Sequence, residues 1–503
     1  LGSGLAFPTK KGENNCHMTL KWSPLLILLI LAKAHSGDMK PSASEVRSEL
    51  KQQIDNILPE KKLKELNAGV FISSLKTGEV LYERNADELV IPASVNKIFT
   101  AYAALKRLKP NFTFKTWVYT KGSVQNETLA GDLYLKGGGD PSLVSERMWM
   151  LVNELMRSGI KRVMGNIIVD SSFFDSIRTP EARPKYLKDQ AYNAPIGGLS
   201  FNFNTCTVYV KPGDKVGSPP QVYTDPENTY IDVVNQATTT KPGSTNTLVV
   251  NRTEYVKGDL GDTVLLRGGI STDSNEVRFY RNIVNPALYA GHMLKTFMTQ
   301  RGFKIAGHVV EGTVPEGAKQ VLEFESQPLW QIVWGMNKFS NNFVADQIMK
   351  RMGAEVWGLP GTMEKGIAAV ENVLEDIGIP KGRYKIVDGS GLTRETRVTA
   401  RQVARILQMG HSDFSASPEF IASLGIAGED GTMKRRALAI NESTIRAKTG
   451  SLDGVSSLAG YVTSADNELM VFVILLNDPK FKYGRMSSWA DQVVAAVSKF
   501  KRK

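Results

Sequence analysis

Apolar residues recur at helical spacing near both ends of this 503-residue chain and at strand spacing between them, and that change of period most restricts its fold. Val46, Leu50, Ile54 and Ile57/Leu58 define a helix over 43–58. Gly69 to Ile72, a Lys-Thr-Gly-Glu turn, and Val80 to Tyr82 read as strand, turn, strand. Pro92 then opens a helix carrying Ile98, Phe99, Ala101, Tyr102 and Leu105. From about 115 to 320 short strands alternate with Gly/Pro/Asn turns, and 206–265 is especially turn-rich. Helices return after 325. One has Pro328 at its start and a stripe of Leu329, Ile332, Val333, Met336 and Phe339. The next carries Phe343, Val344, Ile348 and Met349, and Thr399 with Gln402 spells a capping box. Two strands at 454–462 and 468–476 and a helix over 487–500 close the chain. The length exceeds what one core absorbs. The pattern predicts a helix-and-sheet domain over 35–115 and 320–503, an inserted domain over 116–205 and 266–319, and a nested domain over 206–265.

Met18 begins a leader pattern: Lys21, the apolar run Pro24 to Leu31, and Ala32-Lys33-Ala34 as a small-x-small cleavage site. The run falls short of the ~20 residues of a spanning helix. Residues 18–34 are therefore expected to be a cleaved signal peptide, with 1–17 upstream sequence and an exported product. Cys16 precedes the leader, which leaves Cys206 a lone, packed thiol. The five histidines lack metal-ligand spacing, so a zinc hydrolase is poorly supported and no metal is expected. The formal charge of +11 suits anionic partners, yet no nucleic-acid motif accompanies it. The basic tail Lys499-Phe500-Lys501-Arg502-Lys503 has two readings, a solvated terminus or peripheral contact with an anionic membrane or wall surface.

Three short motifs carry chemistry, and context must choose among their copies. Ser-x-x-Lys occurs at Ser48, Ser73, Ser94, Ser158 and Ser498, Ser-x-Asn at Ser200, Ser244 and Ser340, and Lys-Thr-Gly at Lys76 and Lys448. Ser94-Val95-Asn96-Lys97 opens an apolar helix, where a spacing of three puts hydroxyl and amine on one face and leaves the early amides without partners. Ser48 lies on a wet helix face, and Ser73 and Lys76 fall in a strand and its turn. Ser340-Asn341-Asn342 interrupts two helical stripes, as a helix junction facing a cleft would. Lys448-Thr449-Gly450-Ser451 leads into a strand, and its glycine is expected to let a substrate backbone approach closely.

These residues make a serine acyl-transfer set. A serine hydroxyl needs a base, and a lysine serves only when burial and a second cation keep its amine neutral. Lys97 is the expected base for Ser94, and Lys448 the second cation. Ser340 would relay a proton to the leaving amine. Asn342 would hold the substrate amide and orient Lys97. Lys448, Thr449 and Ser451 would bind a terminal carboxylate, and the Ser94 and Ser451 amides would hold the oxyanion, donors worth ~10²–10³ in rate.

At these motifs the chain resembles the class C low-molecular-mass penicillin-binding proteins, the DacB or penicillin-binding-protein-4 type of D-alanyl-D-alanine carboxypeptidase/endopeptidase. The likeness extends to Gly131–Leu143, Ala194–Asn204, Asp388-Gly389-Ser390-Gly391-Leu392 and Gly428–Met433, and to the long block between Ser94 and Ser340. It implies an α+β fold with a β-lactamase/transpeptidase-like core, an antiparallel sheet flanked by helices, interrupted by a strand-rich two-part insertion. It also implies a periplasmic enzyme without cofactor that acts on peptidoglycan stem peptides and is acylated by β-lactams. One stretch departs from the family. Where relatives grip the diaminopimelate ammonium with acidic and aromatic groups, residues 183–190 are basic, and only Asp189 is available. The rival readings are a serine β-lactamase, an esterase or aminopeptidase on the same core, and a non-catalytic peptidoglycan-binding protein.

Overall fold

The computed structural model describes residues 43–58, 66–184, 187–253, 261–436, 445–478, 480 and 483–502. The leader at 18–34, Cys16, Lys185, Tyr186 and Lys503 lie outside the described residues.

The chain enters through helix α1 (Ala43–Ile57), strands β1 (Asn67–Ser74) and β2 (Val80–Arg84), a 3₁₀ turn (Ala93–Asn96) and α2 (Lys97–Leu108). It leaves for a long excursion through β3 (Lys115–Gln125), β4 (Thr128–Gly137), α3 (Ser145–Met156), β5 (Arg162–Val163) and β6 (Ile167–Asp170). The excursion continues through β7 (Thr205–Lys211), β8 (Gln221–Asp225), β9 (Ile231–Thr240), β10 (Val249–Thr253), β11 (Asp262–Ser271), β12 (Val277–Asn282), α4 (Pro286–Gln300), β13 (Lys304–Ile305), β14 (Val309–Glu311) and β15 (Lys319–Glu325). It returns through α5 (Leu329–Lys338), α6 (Asn342–Trp357), α7 (Met363–Asp376), α8 (Ala400–Ser412), α9 (Ser417–Ser423), β16 (Gly425–Ile426), β17 (Ile445–Leu452), β18 (Val455–Thr463), β19 (Leu469–Asn477) and α10 (Tyr483–Lys499).

The two ends of the chain meet in one antiparallel sheet, ordered β16-β17-β18-β19-β1-β2. The reason is written in β19, where Met470 to Leu476 is an unbroken apolar run buried on both faces. Val471, Val473 and Leu475 face α8 and belong to one apolar core with residues of α2, α6 and α7. Met470, Phe472, Ile474 and Leu476 pack against α1 and α10. A strand covered on both sides gains by being apolar throughout, because every side chain it carries leaves water. The sheet is therefore the antiparallel, helix-flanked core that the family resemblance implies.

In the excursion, β15 pairs with β3 and closes the sheet it opened. Strands β9, β10 and β11 form one three-stranded sheet and β7, β8 and β12 another. A single apolar core joins them all to α3 and α4. The parallel pairings β4·β6 and β9·β11 bring together segments whose strand signals carry no partner information.

Caps follow the sequence. Thr399 accepts from Gln402 N at 3.1 Å while Gln402 Oε1 accepts from Thr399 N at 3.0 Å, starting α8. Asn285 accepts from Leu288 N at 3.2 Å to start α4. Helix α3 was masked by the turn-rich texture around it, although Met148, Leu151, Val152 and Leu155 make its buried stripe. The expected stripe of α5 also needs correcting. Leu329, Ile332, Val333 and Met336 are buried, but Phe339 is 67% exposed, because the helix ends at Lys338 and the chain turns away there. At the C-terminus Arg502 folds back, with Nε 2.6 Å from Glu468 and Nη1 2.6 Å from Glu79, so one tail cation is neutralised internally. No helix among the described residues is long and apolar enough to cross a membrane.

Candidate active site

Ser94 sits in the 3₁₀ turn that precedes α2, entered through Ala93 at φ +48°. One turn on, Lys97 begins α2 with its side chain wholly buried. Its Nζ lies 3.0 Å from Ser94 Oγ, and it donates to Asn342 Oδ1 at 2.6 Å and to the Ser390 carbonyl at 2.7 Å. Asn342 opens α6, whose cap is Asn341, accepting from Val344 N at 3.1 Å. Ser340 occupies the joint between α5 and α6 at φ +57°. Strain of that kind in a non-glycine residue persists where the surroundings enforce it. Here Lys448 Nζ, coming from β17, donates to Ser340 Oγ at 2.9 Å and to the Thr449 carbonyl at 2.8 Å.

All seven residues singled out from the sequence thus come together. Ser94, Ser340, Asn342, Thr449 and Ser451 line one cleft of about 590 Å³, with Lys97 and Lys448 buried in its wall. Beyond the two residues of β16, no strand among the described residues pairs with the outer edge of β17, so the edge carrying Lys448 to Leu452 borders the cleft. The copies at Ser48, Ser73 and Lys76 fall on α1, in β1 and in its turn.

Burial pushes the Lys97 ammonium down to about 7. Arg183 adds to that shift, while Asp346 and Asp388 oppose it. Lys448 is also driven well below its ordinary value, by burial and then by the charge of Lys97. Burial raises the Asp346 carboxyl to about 6 against the pull of Arg183. Cys206 is buried and free, its thiol pushed up to about 12 by desolvation, far from the range of a reactive thiolate.

The chain matches the D-Ala-D-Ala carboxypeptidase 3 (S13) family over residues 50–495. It is 33% identical over 472 residues to the D-alanyl-D-alanine carboxypeptidase of Actinomadura sp. (strain R39), covering 90% of this chain and 85% of that one. The chain belongs to the S13 family of serine peptidases. It is also 26% identical over 422 residues to the D-alanyl-D-alanine carboxypeptidase DacB of Haemophilus influenzae, covering 82% of this chain and 85% of the relative. The crystal structure of penicillin binding protein 4 (dacB) from that organism superposes with a TM-score of 0.75 at 24% identity, over 88% of this chain and 97% of that one. That likeness extends over the excursion as well as the core.

Three features of this S13 site were not legible in the motifs. The loop Asp388–Leu392 forms the floor behind Lys97. Asp388 accepts from Gly391 N at 2.7 Å and from Ser390 Oγ at 3.1 Å, and its carbonyl accepts from Asn96 Nδ2 at 2.9 Å. Thr449 Oγ1 donates to Thr432 Oγ1 at 2.8 Å, which places the Gly428–Met433 stretch at the far wall. Third, Arg183, read as part of a basic recognition stretch, is buried and ion-paired with Asp346 on α6. Asp189, the one acid expected to be available there, lies 3.6 Å from Arg281. The stretch is therefore less basic and less free than its composition suggests.

Gly450 also has an internal reason. A Cβ there would lie 2.6 Å from the Pro92 carbonyl and 3.1 Å from Val95 N. The glycine thus lets β17 approach the protein's own Ser94 turn closely. Gly450→Ala is expected to cost about 1–3 kcal/mol through overpacking and to slow acylation, because it pushes β17 away from Ser94. Thermal unfolding and the rate of labelling by a fluorescent penicillin would check this, and a variant that labels at the native rate would contradict it.

Proposed function

We propose that this S13 peptidase is an exported D-Ala-D-Ala carboxypeptidase and/or DD-endopeptidase that processes peptidoglycan stem peptides through an acyl-enzyme on Ser94. The observation that carries this reading is how the Lys97 amine is bonded. A neutral amine has two N–H bonds and one lone pair. Two carbonyl oxygens, Asn342 Oδ1 and Ser390 O, accept from Nζ, and the remaining contact is the Ser94 hydroxyl at 3.0 Å. The lone pair is thereby directed at the proton that must leave. Burial lowers the amine to about 7, so that a large share of it, about half, is neutral near pH 7 and able to act as a base.

In this scheme Ser94 Oγ attacks the carbonyl carbon of the penultimate D-alanine and passes its proton to Lys97. The carbonyl oxygen becomes an oxyanion held by the Ser94 and Ser451 amides. Lys448, Thr449 and Ser451 hold the terminal carboxylate, and Asn342 holds the acyl-side amide. As the tetrahedral intermediate collapses, the C–N bond breaks and the leaving amine takes a proton relayed through Ser340, which Lys448 faces at 2.9 Å. Water then repeats the sequence on the ester and frees Ser94. A β-lactam enters by the same attack and stays as a covalent inhibitor.

The division into a catalytic domain (35–115 and 320–503), an inserted domain and a nested domain belongs to this proposal. So does export to the periplasm by a signal peptide at 18–34, supported by the leader pattern. Digestion of purified sacculi followed by muropeptide analysis tests the activity. The expected result is loss of terminal D-alanine and/or of cross-linked dimers with native enzyme only. Unchanged muropeptides would leave a non-catalytic wall-binding protein as the better account.

A further inference from the structure

A second groove begins where the catalytic cleft ends. Phe339 and Asn341, the two neighbours of Ser340, line it, and it runs back along α5 past Gly335, Trp334, Gln331 and Trp330. Its opposite wall comes from the excursion, through Arg147 and Phe203. Its volume is about 580 Å³, which suits a small ligand.

Several features of this groove point to a ligand, although Trp334 also carries the Lys338 ammonium over its ring at 5.7 Å and Phe203 meets Phe343 edge-on at 6.2 Å. Trp330, Trp334, Phe339 and Phe203 keep 36%, 38%, 67% and 38% of their surface in water. Large aromatics clustered on a wet face mark a binding surface. Trp330 and Trp334 lie one turn apart on the side of α5 away from its buried stripe, and Trp334 meets Phe339 edge-on at 6.0 Å. Phe203 is held at φ +56°, between Asn202 at +45° and Asn204 at +54°. Asn tolerates such backbone, whereas a bulky Phe there is uncommon and costly. Gly335 sits mid-helix, where glycine is less favourable than alanine, yet a Cβ there would meet nothing within 4 Å. The glycine relieves no crowding; it leaves space. Arg147 Nε is buried without an acceptor among the described residues, while the rest of the guanidinium lies 4.7 Å over the Phe324 ring and donates to the Glu325 carbonyl.

We infer that this groove binds the glycan strand of the polymer, stacking saccharide rings on Trp330, Trp334 and Phe339 while the stem peptide hanging from that strand reaches Ser94. The inference rests on the proposed peptidase activity. The chemistry is that of a saccharide: flat apolar C–H faces for the rings, and hydroxyl and acetamide groups for Gln327, Gln331 and the Arg147 guanidinium. The polarity agrees as well. The terminal carboxylate is assigned to Thr449 and Ser451 and the acyl side to Asn342, so the peptide's start leaves the cleft beside Asn341, where the groove opens.

Two readouts test it. Trp330→Ala/Trp334→Ala removes the stacking platforms. Gly335→Phe fills the groove at a site with open space and ordinary helical geometry, so at least one variant is expected to fold as the native protein does. The first readout is kcat/KM for a disaccharide-pentapeptide relative to the free pentapeptide. The native ratio should be about tenfold or more and fall to about one in both variants, while the rate of acylation by benzylpenicillin stays unchanged. The second is intrinsic tryptophan fluorescence on adding glycan strands stripped of peptide. Native protein should respond saturably and the Trp double variant should not. An unchanged ratio in both variants, or no native response to stripped glycan, overturns the inference. So does self-association that both variants abolish without any saccharide effect, since the groove would then serve a protein partner. If neither peptide is hydrolysed by any form, the peptidase reading fails, and the fluorescence titration alone still decides the groove.

Discussion

Ser94→Ala is expected to lower D-alanine release by about 10⁶-fold, the scale on which a serine hydrolase loses rate with its nucleophile, while leaving the fold intact. The Ser94 hydroxyl makes one side-chain contact among the described residues, to Lys97 Nζ. Its removal costs no packing and no buried partner other than that amine. Thermal midpoint and far-UV circular dichroism should match the native protein, while peptide hydrolysis and covalent labelling by penicillin both disappear. A variant that keeps a hundredth of native turnover would show that the acyl group is carried elsewhere.

Arg183→Gln should have the second largest effect, and a composite one. Arg183 comes from the excursion, but its side chain is buried behind the catalytic floor, paired with Asp346 and also donating to Asn193 Oδ1 at 3.0 Å and Ser390 Oγ at 3.3 Å. The charged groups around the Lys97 amine are Asp346 on α6, Asp388 in the floor loop, Arg183 from the excursion and Lys448 on β17. Removing the guanidinium leaves two buried carboxylates facing Lys97. Breaking one side of a buried pair typically costs about 3–5 kcal/mol, so the thermal midpoint should fall. The sign on catalysis follows from charge. Uncompensated carboxylates favour the ammonium form, so the folded-state value for Lys97 rises from about 7. Less neutral base is then present at any given pH. The acid limb of kcat/KM should move to higher pH by about one unit or more. Arg183→Lys should restore most of the limb's position, and Arg183→Gln/Asp346→Asn should move it back toward lower pH. A variant that is merely less stable, with its limb unmoved, would reduce Arg183 to a structural tie between excursion and core.

How legible was all this in the sequence? The core sheet was, because β19 is apolar without interruption and the helices beside it carry clean stripes. The cleft was also legible, because spacing of three on a helix start, a broken helical stripe at Ser340 and a glycine-bearing strand each fix a local geometry that reading residue by residue can find. What could not be read is what depends on partners distant in the chain. Arg183 looks like surface charge until α6 supplies Asp346. The Asp388–Leu392 loop has no chemistry of its own until Lys97 donates to Ser390. Phe339 fits the periodicity of α5 and yet lies outside it, because the helix stops one residue earlier to place Ser340. The internal role of Gly450 is hidden in the sequence because the Pro92 carbonyl, which crowds it, arrives from hundreds of residues away. Pairings such as β9 with β11 are long-range events of the same kind.

The central claim is that hydroxyl 94 is the group that becomes acylated, within a cleft assembled from three remote segments. Mass mapping of the proteolysed protein after brief exposure to benzylpenicillin tests it most directly. The account predicts one adduct, on the peptide containing Ser94, which persists after excess drug is removed. An adduct on Ser340 or any other serine, or one on Ser94 that is lost as fast as it forms, would contradict it.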